Sequence, residues 1–413
     1  MATPKLRFNE FYEKWQLTQL KDKADFLAGY AFSSKLMSNN ICQYQLIKMS
    51  NIYKNKLDIN RNPSYWQSIN KKTEKYLLSK GDIVLTLTGT VGKKDYGYSV
   101  EINKNDKYLL NQRLVRIKGK EEESTSKFLH YRVSTSVFYY HFFNAAKGGT
   151  GNQANVSVED IKLIKLLFPS IKEQTKIATF LSAVDTKIDE LIQKHELLTD
   201  YKKGMMQQIF SQKLRFKADD GSDFEHWDDI TLGEISSKSL AKNKDESISE
   251  VLTNSATQGV IKQSDYFERD IVTTSNLKGY YVVEIGDFVY NPRISSQAPV
   301  GPIKLNKQCL GVMSPLYTVF TTNKGDINYL EYFFESSIWH DYVKSVSNSG
   351  ARHDRMNIKN QDFFDMPILY PCLAEQTKIA NFLTAIDQKI DNVAEQIDHA
   401  KTWKKGLLQQ MFV

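Results

Sequence analysis

EQTKIATFLSAVDTKIDELIQKHELLTDYKKGMMQQIF occupies residues 173–210, and EQTKIANFLTAIDQKIDNVAEQIDHAKTWKKGLLQQMF occupies residues 375–412. The two stretches align without a gap at an offset of 202, and about half of their positions are identical, a period too long for a solenoid unit. The apolar residues recur in steps of four and three. In the first copy the series runs through Ile177, Leu181, Val184, Ile188 and Leu191; in the second it runs through Ile379, Leu383, Ile386, Ile390 and Val393. Continued to the end of each copy, the series includes His195 opposite Ile397 in the alignment, and Lys202 matched by Lys404. A seven-residue period held for about five heptads predicts a coiled-coil seam. Two such helices in one chain most simply pair with each other, and the matched lysines read as register markers of an antiparallel pair. Pro169, Ser170 and Glu173 predict a capping box at the first helix start, whereas Cys372 stands at the second. Gly204 and Gly406 interrupt the pattern at about 1 kcal/mol each, marking a break or a close approach.

The repeat reaches beyond the helices. KLRF at residues 5–8, with Trp15 after it, returns as KLRF at residues 213–216 with Trp227. SKGDIVLTLTGTVGKK (residues 79–94) parallels EIGDFVYNPRISSQAPVG (residues 284–301): a Gly-Asp turn, a β-branched and aromatic strand, then a Gly- or Pro-containing loop. FLHYRVSTSVFYYHFF (residues 128–143) parallels YLEYFFESSIWHDYV (residues 329–343) as an amphipathic helical stretch, and GGTGNQANVSVEDI (residues 148–161) parallels GARHDRMNIKNQDF (residues 350–363). Residues 30–76 and 235–281 share nothing comparable. The expected fold class is α+β, in two pseudo-symmetric globular domains with mainly antiparallel strands. Its parts are a domain at residues 1–168, a helix at 169–212, a second domain at 213–370 and a second helix at 371–413.

Bulk composition narrows the function. A chain of 413 residues has room for at least two domains. The opening MATPKLRFNEF carries no apolar signal region and no apolar run approaches a membrane span, so the expected location is cytoplasmic. Cys42, Cys309 and Cys372 form no CxxC and read as reduced thiols. The net charge of +7 is unevenly spread: residues 1–170 hold 27 Lys and Arg against 15 Asp and Glu, a net of +12, while residues 213–372 hold 17 against 22, a net of −5. Nucleic acid is a permitted partner rather than a required one.

Catalytic motifs are missing where they would be needed. Asn291-Pro292-Arg293-Ile294 lacks the second Pro and the aromatic that hold a target amine in an amino-methyltransferase, and reads as a turn after a strand. GTVGKK (residues 89–94) lacks the glycine spacing of a phosphate-cradling NTPase loop. Glu101-Ile102-Asn103-Lys104 is one residue too long for the acidic-x-Lys end of a nuclease site. The seven His make neither HxxxH nor HExxH, so no metal site is expected. What remains suits binding: cations for phosphates, and amide or forked side chains for base edges. The candidates are Lys93 and Lys94; Lys147, Asn152 and Gln153; Arg293, Ser295 and Gln297; and Arg352, His353 and Arg355, in equivalent loops of the two halves.

GDIVLTLTGTVG, NVSVEDIKLIKLLFPSIKEQTKIATFLSAVD and NIKNQDFFDMPILYPCLAEQTKIANFLTAID carry a resemblance, over essentially the whole chain, to the specificity subunits of type I restriction–modification enzymes. NPRISSQAPVG departs from the glycine-rich form of that loop. The resemblance implies two target-recognition domains that read an asymmetric, bipartite double-stranded DNA sequence, with paired helices as spacer ruler and scaffold. It also implies a non-catalytic chain that holds two methyltransferase subunits acting on adenine N6 and recruits motor-endonuclease subunits. S-adenosylmethionine, ATP and Mg would then belong to those partners, with no cofactor in this chain. About 38 helical residues span about 57 Å, against about 34 Å per turn of B-DNA. A stand-alone DNA-binding regulator and a protein-binding coiled-coil adaptor are the rival classes; the first binds DNA without partners, the second shows no salt-dependent DNA affinity.

Overall fold

A computed structural model describes residues 3–148, 152–266, 277–347 and 354–413. The chain divides into two compact units: residues 1–192 with 395–413, and residues 193–394. Each unit therefore takes a part of each long helix, Ile171–Phe210 and Leu373–Met411.

In the first unit a four-stranded antiparallel sheet runs in the order Ala24–Ala28, Leu114–Gly119, Ile83–Thr86, Ser99–Glu101. Its centre is a β-branched and Leu-rich pair of strands: Ile83–Thr86 is buried on both faces, while Leu114–Gly119 buries Leu114, Val115 and Ile117 and exposes Lys118. The Gly-Asp turn leads into it: Gly81 has φ +88°, a conformation that favours glycine, and Asp82 Oδ2 accepts the Ser79 amide at 2.9 Å. Tyr44–Ile47, which pairs parallel with Tyr108–Leu110 and antiparallel with Tyr65–Trp66, belongs to this unit's own content. Helices Ser126–Arg132 and Ser136–Asn144, capped by the Thr125 and Thr135 hydroxyls, cover the core.

The second unit repeats the frame. Ser236–Lys238, Thr318–Thr322, Phe288–Tyr290 and Ile303–Leu305 make its four-stranded antiparallel sheet. Gly286 (φ +95°) and Asp287, which accepts the Glu284 amide at 2.8 Å, repeat the turn. The short pair Gln16–Gln19 with Lys165–Phe168 in the first unit returns as Asp228–Thr231 with Pro367–Tyr370 in the second. The interiors differ: hairpin Leu252–Ser255 with Gly259–Lys262 has no matching sequence in the first half.

The helices pair antiparallel within each unit. In the first, Ile177, Leu181, Val184 and Ile188 share a buried cluster with Leu407, Met411 and Phe412. In the second, Met206, Ile209 and Phe210 share one with Ile379, Leu383 and Ile386. Leu191 and Val393 are buried and Ile390 partly so. Towards the helix ends the strict seven-residue seam gives way: Met206 is buried more fully than Met205, because a straight helix at 3.6 residues per turn drifts from a heptad. Lys202 and Lys404 sit at the seam with charged partners. Lys404 Nζ pairs with Asp185 in the first unit; Lys202 Nζ reaches Asp387 at 2.7 Å and Glu335 at 2.9 Å in the second. At the offset of 202, Asp185 is Asp387 and Lys202 is Lys404, so each copy lends its Lys to the other copy's Asp. A tyrosine hydroxyl completes both: Tyr131 donates to Asp185 at 2.8 Å and Tyr332 to Asp387 at 2.7 Å. Burial alone would lower the Lys202 ammonium, but Glu335 and Asp387 outweigh it and hold it above its ordinary value. No atom within 4 Å would meet a Cβ at Gly204 or Gly406, and helix continues through both, so neither marks a close approach or a break.

The first residues of each helix lock it to its unit. Glu173 accepts from Arg7 Nε and Nη2, both at 2.7 Å, and from Trp15 Nε1 at 3.2 Å. Glu375 accepts from Arg215 at 3.2 and 2.7 Å and from Trp227 at 2.8 Å. The expected capping box at Ser170 is only half formed. The Ser170 hydroxyl meets the Glu173 amide at 3.4 Å, but the Glu173 carboxylate turns away to the guanidinium, whose charge-assisted bonds are stronger than one to a backbone amide. Gln174 and Gln376 are fully buried beside them, donating to Pro169 and Pro371 carbonyls and accepting from Ser124 and from the Asp326 amide. KLRF thus supplies the arginine, its following Trp the indole, and the Glu-Gln pair of the helix receives them. The lead-in also closes on the helix ends: the Leu6 amide donates to Gln410 O at 3.0 Å, as Leu214 does to Gln208 O at 3.2 Å.

Removing the Glu173 carboxylate leaves Arg7 and Trp15 without their acceptor. Glu173→Ala should destabilise the first unit by about 3 kcal/mol, the scale for breaking a largely buried pair. Glu375→Ala should do the same in the second unit, read as separate shifts in urea denaturation. His130 offers a pH test. Burial pushes its imidazole down to about 4, against opposing influences of Glu101 and Asp185 and assisting ones of Lys404 and Lys127. The unfolded chain takes up the proton first, near pH 6.5, so this contribution is complete above pH 6.5 and lost as the pH falls towards 4. The loss amounts to about 3 kcal/mol. His130→Gln should flatten the dependence of the urea midpoint on pH between 7 and 4.5.

Candidate nucleic-acid interface

A small antiparallel sheet in the first unit collects the candidate residues. Gln153–Asn155 lies between Thr88–Thr90 and Lys147–Gly148, with Gln153 opposite Thr90 and Lys147 opposite Asn155. The Val91 amide donates to Asn152 O at 3.1 Å. Lys93, Lys94, Lys147, Asn152 and Gln153, drawn from two segments some sixty residues apart in the chain, therefore lie exposed in or beside this one small sheet, with Lys147 on the strand across Gln153–Asn155 from Thr88–Thr90. The turn carrying the two lysines is shaped by Gly92 at φ +76° and by Asp95, whose carboxylate accepts from the Thr90 amide and hydroxyl, each at 2.8 Å. The Thr90 amide, then its hydroxyl and Lys93, hold Asp95 below the usual carboxylate range. Lys147 is 78% exposed and reaches Asp160 Oδ2 at 3.4 Å. Lys93 and Lys94 form no ion pair among the described residues.

The second unit builds the same junction differently. Arg293 and Arg355 face each other in an antiparallel bridge, framed by Ile294 N to Asp354 O at 3.1 Å and Met356 N to Pro292 O at 2.9 Å. Arg293, Ser295 and Gln297 are exposed. The Ser295 hydroxyl accepts the Ala298 amide at 3.1 Å and so shapes its own loop. Arg355 is mostly covered, its Nε without a hydrogen-bond partner and 3.6 Å from Asp354 Oδ2. Arg352 and His353 lie outside the described residues. Asn291 is a loop anchor: its amide donates to Asn254 O and its oxygen accepts the Arg293 amide. Gly301 lies so close that a Cβ there would stand 2.1 Å from Asn291 O, at φ +80°. Asn291-Pro292 is thus structural.

Four phenylalanines in or just after the long helices pack within their own units. Phe180 packs on Phe8 and Trp403, Phe412 on Trp15 and Phe128, Phe382 on Phe216, and Phe210 on Tyr329 and Phe333. These rings cover their own units rather than standing free. No group of three or more His, Cys, Asp or Glu able to hold a metal occurs among the described residues. Nor is any helix of the described residues long and apolar enough to cross a membrane.

Comparison with known proteins agrees with this doubled architecture. Residues 12–198 and 225–401 each match the type I restriction modification DNA specificity domain. The chain is 26% identical to a putative type I restriction enzyme MjaX specificity subunit of Methanocaldococcus jannaschii, over 98% of this chain and 95% of that one. It is 25% identical to the MjaVIII specificity subunit of the same organism, over 80% and 79%. Among solved structures it is similar to a type I restriction–modification S subunit from M. genitalium, with a TM-score of 0.58 at 15% identity, covering 100% and 99% of the two chains. Two copies of a specificity domain on one frame define a DNA target-recognition chain. The protein belongs to the type I restriction–modification specificity subunit family.

Asp95→Ala should free the lysine turn without unfolding its unit. The Thr90 amide should exchange with solvent markedly faster, while the unfolding free energy of the first unit, read from urea denaturation, falls by less than about 1 kcal/mol.

Proposed function

We propose that this chain is the non-catalytic reader of a type I restriction–modification complex, with each unit contacting one half of an asymmetric, bipartite double-stranded DNA target. The observation that carries this reading is the repeated junction of two loops in each unit. The frame is the same, while the side chains offered are Lys and amides in one and Arg with Ser and Gln in the other. One frame with two chemistries suits two unlike half-sites. Opposed like charges across a bridge are unfavourable. A phosphate beside Arg293 and Arg355 would relieve that repulsion, giving the second unit a local anion site despite its net acidity. Lys93, Lys94 and Lys147 supply phosphate contacts in the first unit, and Asn152, Gln153 and Gln297 are suited to base edges. Arg352 and His353 are proposed to join them from the adjoining segment.

The paired helices act as the ruler and as the scaffold for two methyltransferase subunits, with motor-endonuclease subunits joining the full complex. S-adenosylmethionine, ATP and Mg reside on those partners. A 40-residue helix rises about 60 Å, which accommodates half-sites one to one and a half turns of DNA apart. In cells carrying the partner subunits, an adenine-methylation map should show a split motif that disappears when this gene is deleted. Lengthening both helices by one heptad at matched positions should lengthen the spacer and leave both half-sites unchanged. An unchanged spacer in a methylating variant would exclude the ruler, and a map indifferent to deletion would exclude the reading itself.

A further inference from the structure

A cavity of about 770 Å³ opens in the first unit beside the lysine turn. Tyr98, Tyr139, Tyr140 and Phe143 wall it with aromatic faces, and Lys54 and Lys94 stand at its rim. Its lining contains no carboxylate; besides the two lysines, the polar groups are the tyrosyl hydroxyls, Ser136 and the Asn55 and Asn144 amides. Both lysines are exposed and neither forms an ion pair among the described residues. Lys94 Nζ lies 5.5 Å from the Phe143 ring centre, and Lys54 Nζ lies 5.3 Å from that of Tyr53.

The cavity is held open by specific contacts. Lys54 and Asn55 form the two-residue tip of the hairpin Ile52–Tyr53 with Lys56–Leu57, at φ +48° and +59°, the left-handed pair of a type I′ turn. Asn55 fixes that tip by accepting the Ser99 amide at 2.8 Å and by donating to the Tyr139 hydroxyl at 3.2 Å. Tyr139 stacks on Phe143 at 6.0 Å. Tyr98 is placed by its hydroxyl bond to Lys94 O and by an edge contact with Tyr53. Tyr140 differs from these: it is 66% exposed, its ring meets only the neighbouring His141, and its hydroxyl has no partner among the described residues. A large aromatic side chain left free at the mouth of an aromatic cavity is poised to stack on something.

Planar π walls with unpaired cations at the rim and hydrogen-bonding amide and hydroxyl groups match one ligand chemistry: a nucleobase carrying a phosphate. We propose that this cavity binds a nucleotide unit, its base against Tyr140 and the neighbouring rings and its phosphate at Lys54 and Lys94. Lys94 belongs to the turn proposed to contact DNA, so the first source of that unit is an unstacked nucleotide at or beside the first half-site, an inference that rests on the proposed function. A free nucleotide is the alternative source. The feature belongs to one unit. In the aligned helical stretch of the second half, His340 and Asp341 stand where Tyr139 and Tyr140 stand in the first.

The test uses the assembled complex and a duplex bearing its mapped target, with 2-aminopurine placed at each position in turn. Fluorescence should rise on binding at one position other than the methylated adenine. Tyr140→Ala should abolish that rise and weaken binding by about tenfold, whereas Tyr140→Phe, which keeps the ring, should preserve both. Tyr140 is exposed, so thermal unfolding of Tyr140→Ala should match the parent. In a second arm, dAMP, dGMP, dCMP and dTMP are titrated against the full chain by calorimetry; binding there, lost in Lys94→Ala and Tyr140→Ala, would establish a free nucleotide as the source. Normal duplex binding with no such rise and no effect of Tyr140→Ala, together with no nucleotide uptake, overturns the cavity site and leaves the DNA-reading function intact. Failure of the complex to bind any duplex overturns that function instead, and the nucleotide titration still decides the cavity.

Discussion

Two ion pairs exchanged between the repeats hold the arrangement: Asp185 with Lys404, and Asp387 with Lys202. Each joins an aspartate of one copy to a lysine of the other, so neither repeat can complete its own seam. A half-buried charge on an otherwise apolar seam costs less when its partner arrives in one register only, and a polar residue at a core position is a known register device. Tyr131 and Tyr332 reinforce the choice. Burial, followed by the adjacent aspartates, raises both phenols, so each keeps its proton and donates it to the carboxylate. The same lysines lie over the same tyrosine rings, at 5.6 Å for Lys404 and 4.9 Å for Lys202.

The buried glutamates extend this logic from helix to domain. Glu173 and Glu375 each gather a guanidinium and an indole from the lead-in segment of the same unit, and Gln174 and Gln376 bind the turn before the helix. The most strongly repeated residues of the chain are thus those that fix helix to domain and helix to helix. The loops that differ between the copies hang from this fixed frame, and can vary in chemistry without disturbing it. This separation of an invariant frame from variable loops is the physical basis for assigning recognition to the loops.

Much of the frame was legible because it is periodic or repeated. The apolar spacing located both helices, the Gly-Asp turns located the central strands, and the matched loops pointed to the edges that the structure assembles from Lys93, Asn152 and Gln153, and from Arg293 and Arg355. The long-range partners were less legible. Arg7 and Glu173 are 166 residues apart, and nothing in local pattern couples a lead-in arginine to a helix-start glutamate. The recurrence of Arg, Trp and Glu together in both halves was the available signal. The capping box misled for a physical reason: Glu173 had a stronger acceptor role elsewhere. The interior of residues 30–76 carries no repeat, so its hairpins and the tyrosine-lined cavity emerge only when strands distant in sequence are brought together.

The pairing of the two helices within one chain is tested most directly by cross-linking across the exchanged pair. Asp185→Cys and Lys404→Cys would be introduced together after Cys42, Cys309 and Cys372 are replaced by Ser. Brief oxidation of the dilute protein should join the two positions within a single chain, which would migrate as a cross-linked monomer at every concentration tested. Cross-linked dimers forming in place of that monomer, in proportion to protein concentration, would contradict the intramolecular antiparallel pair.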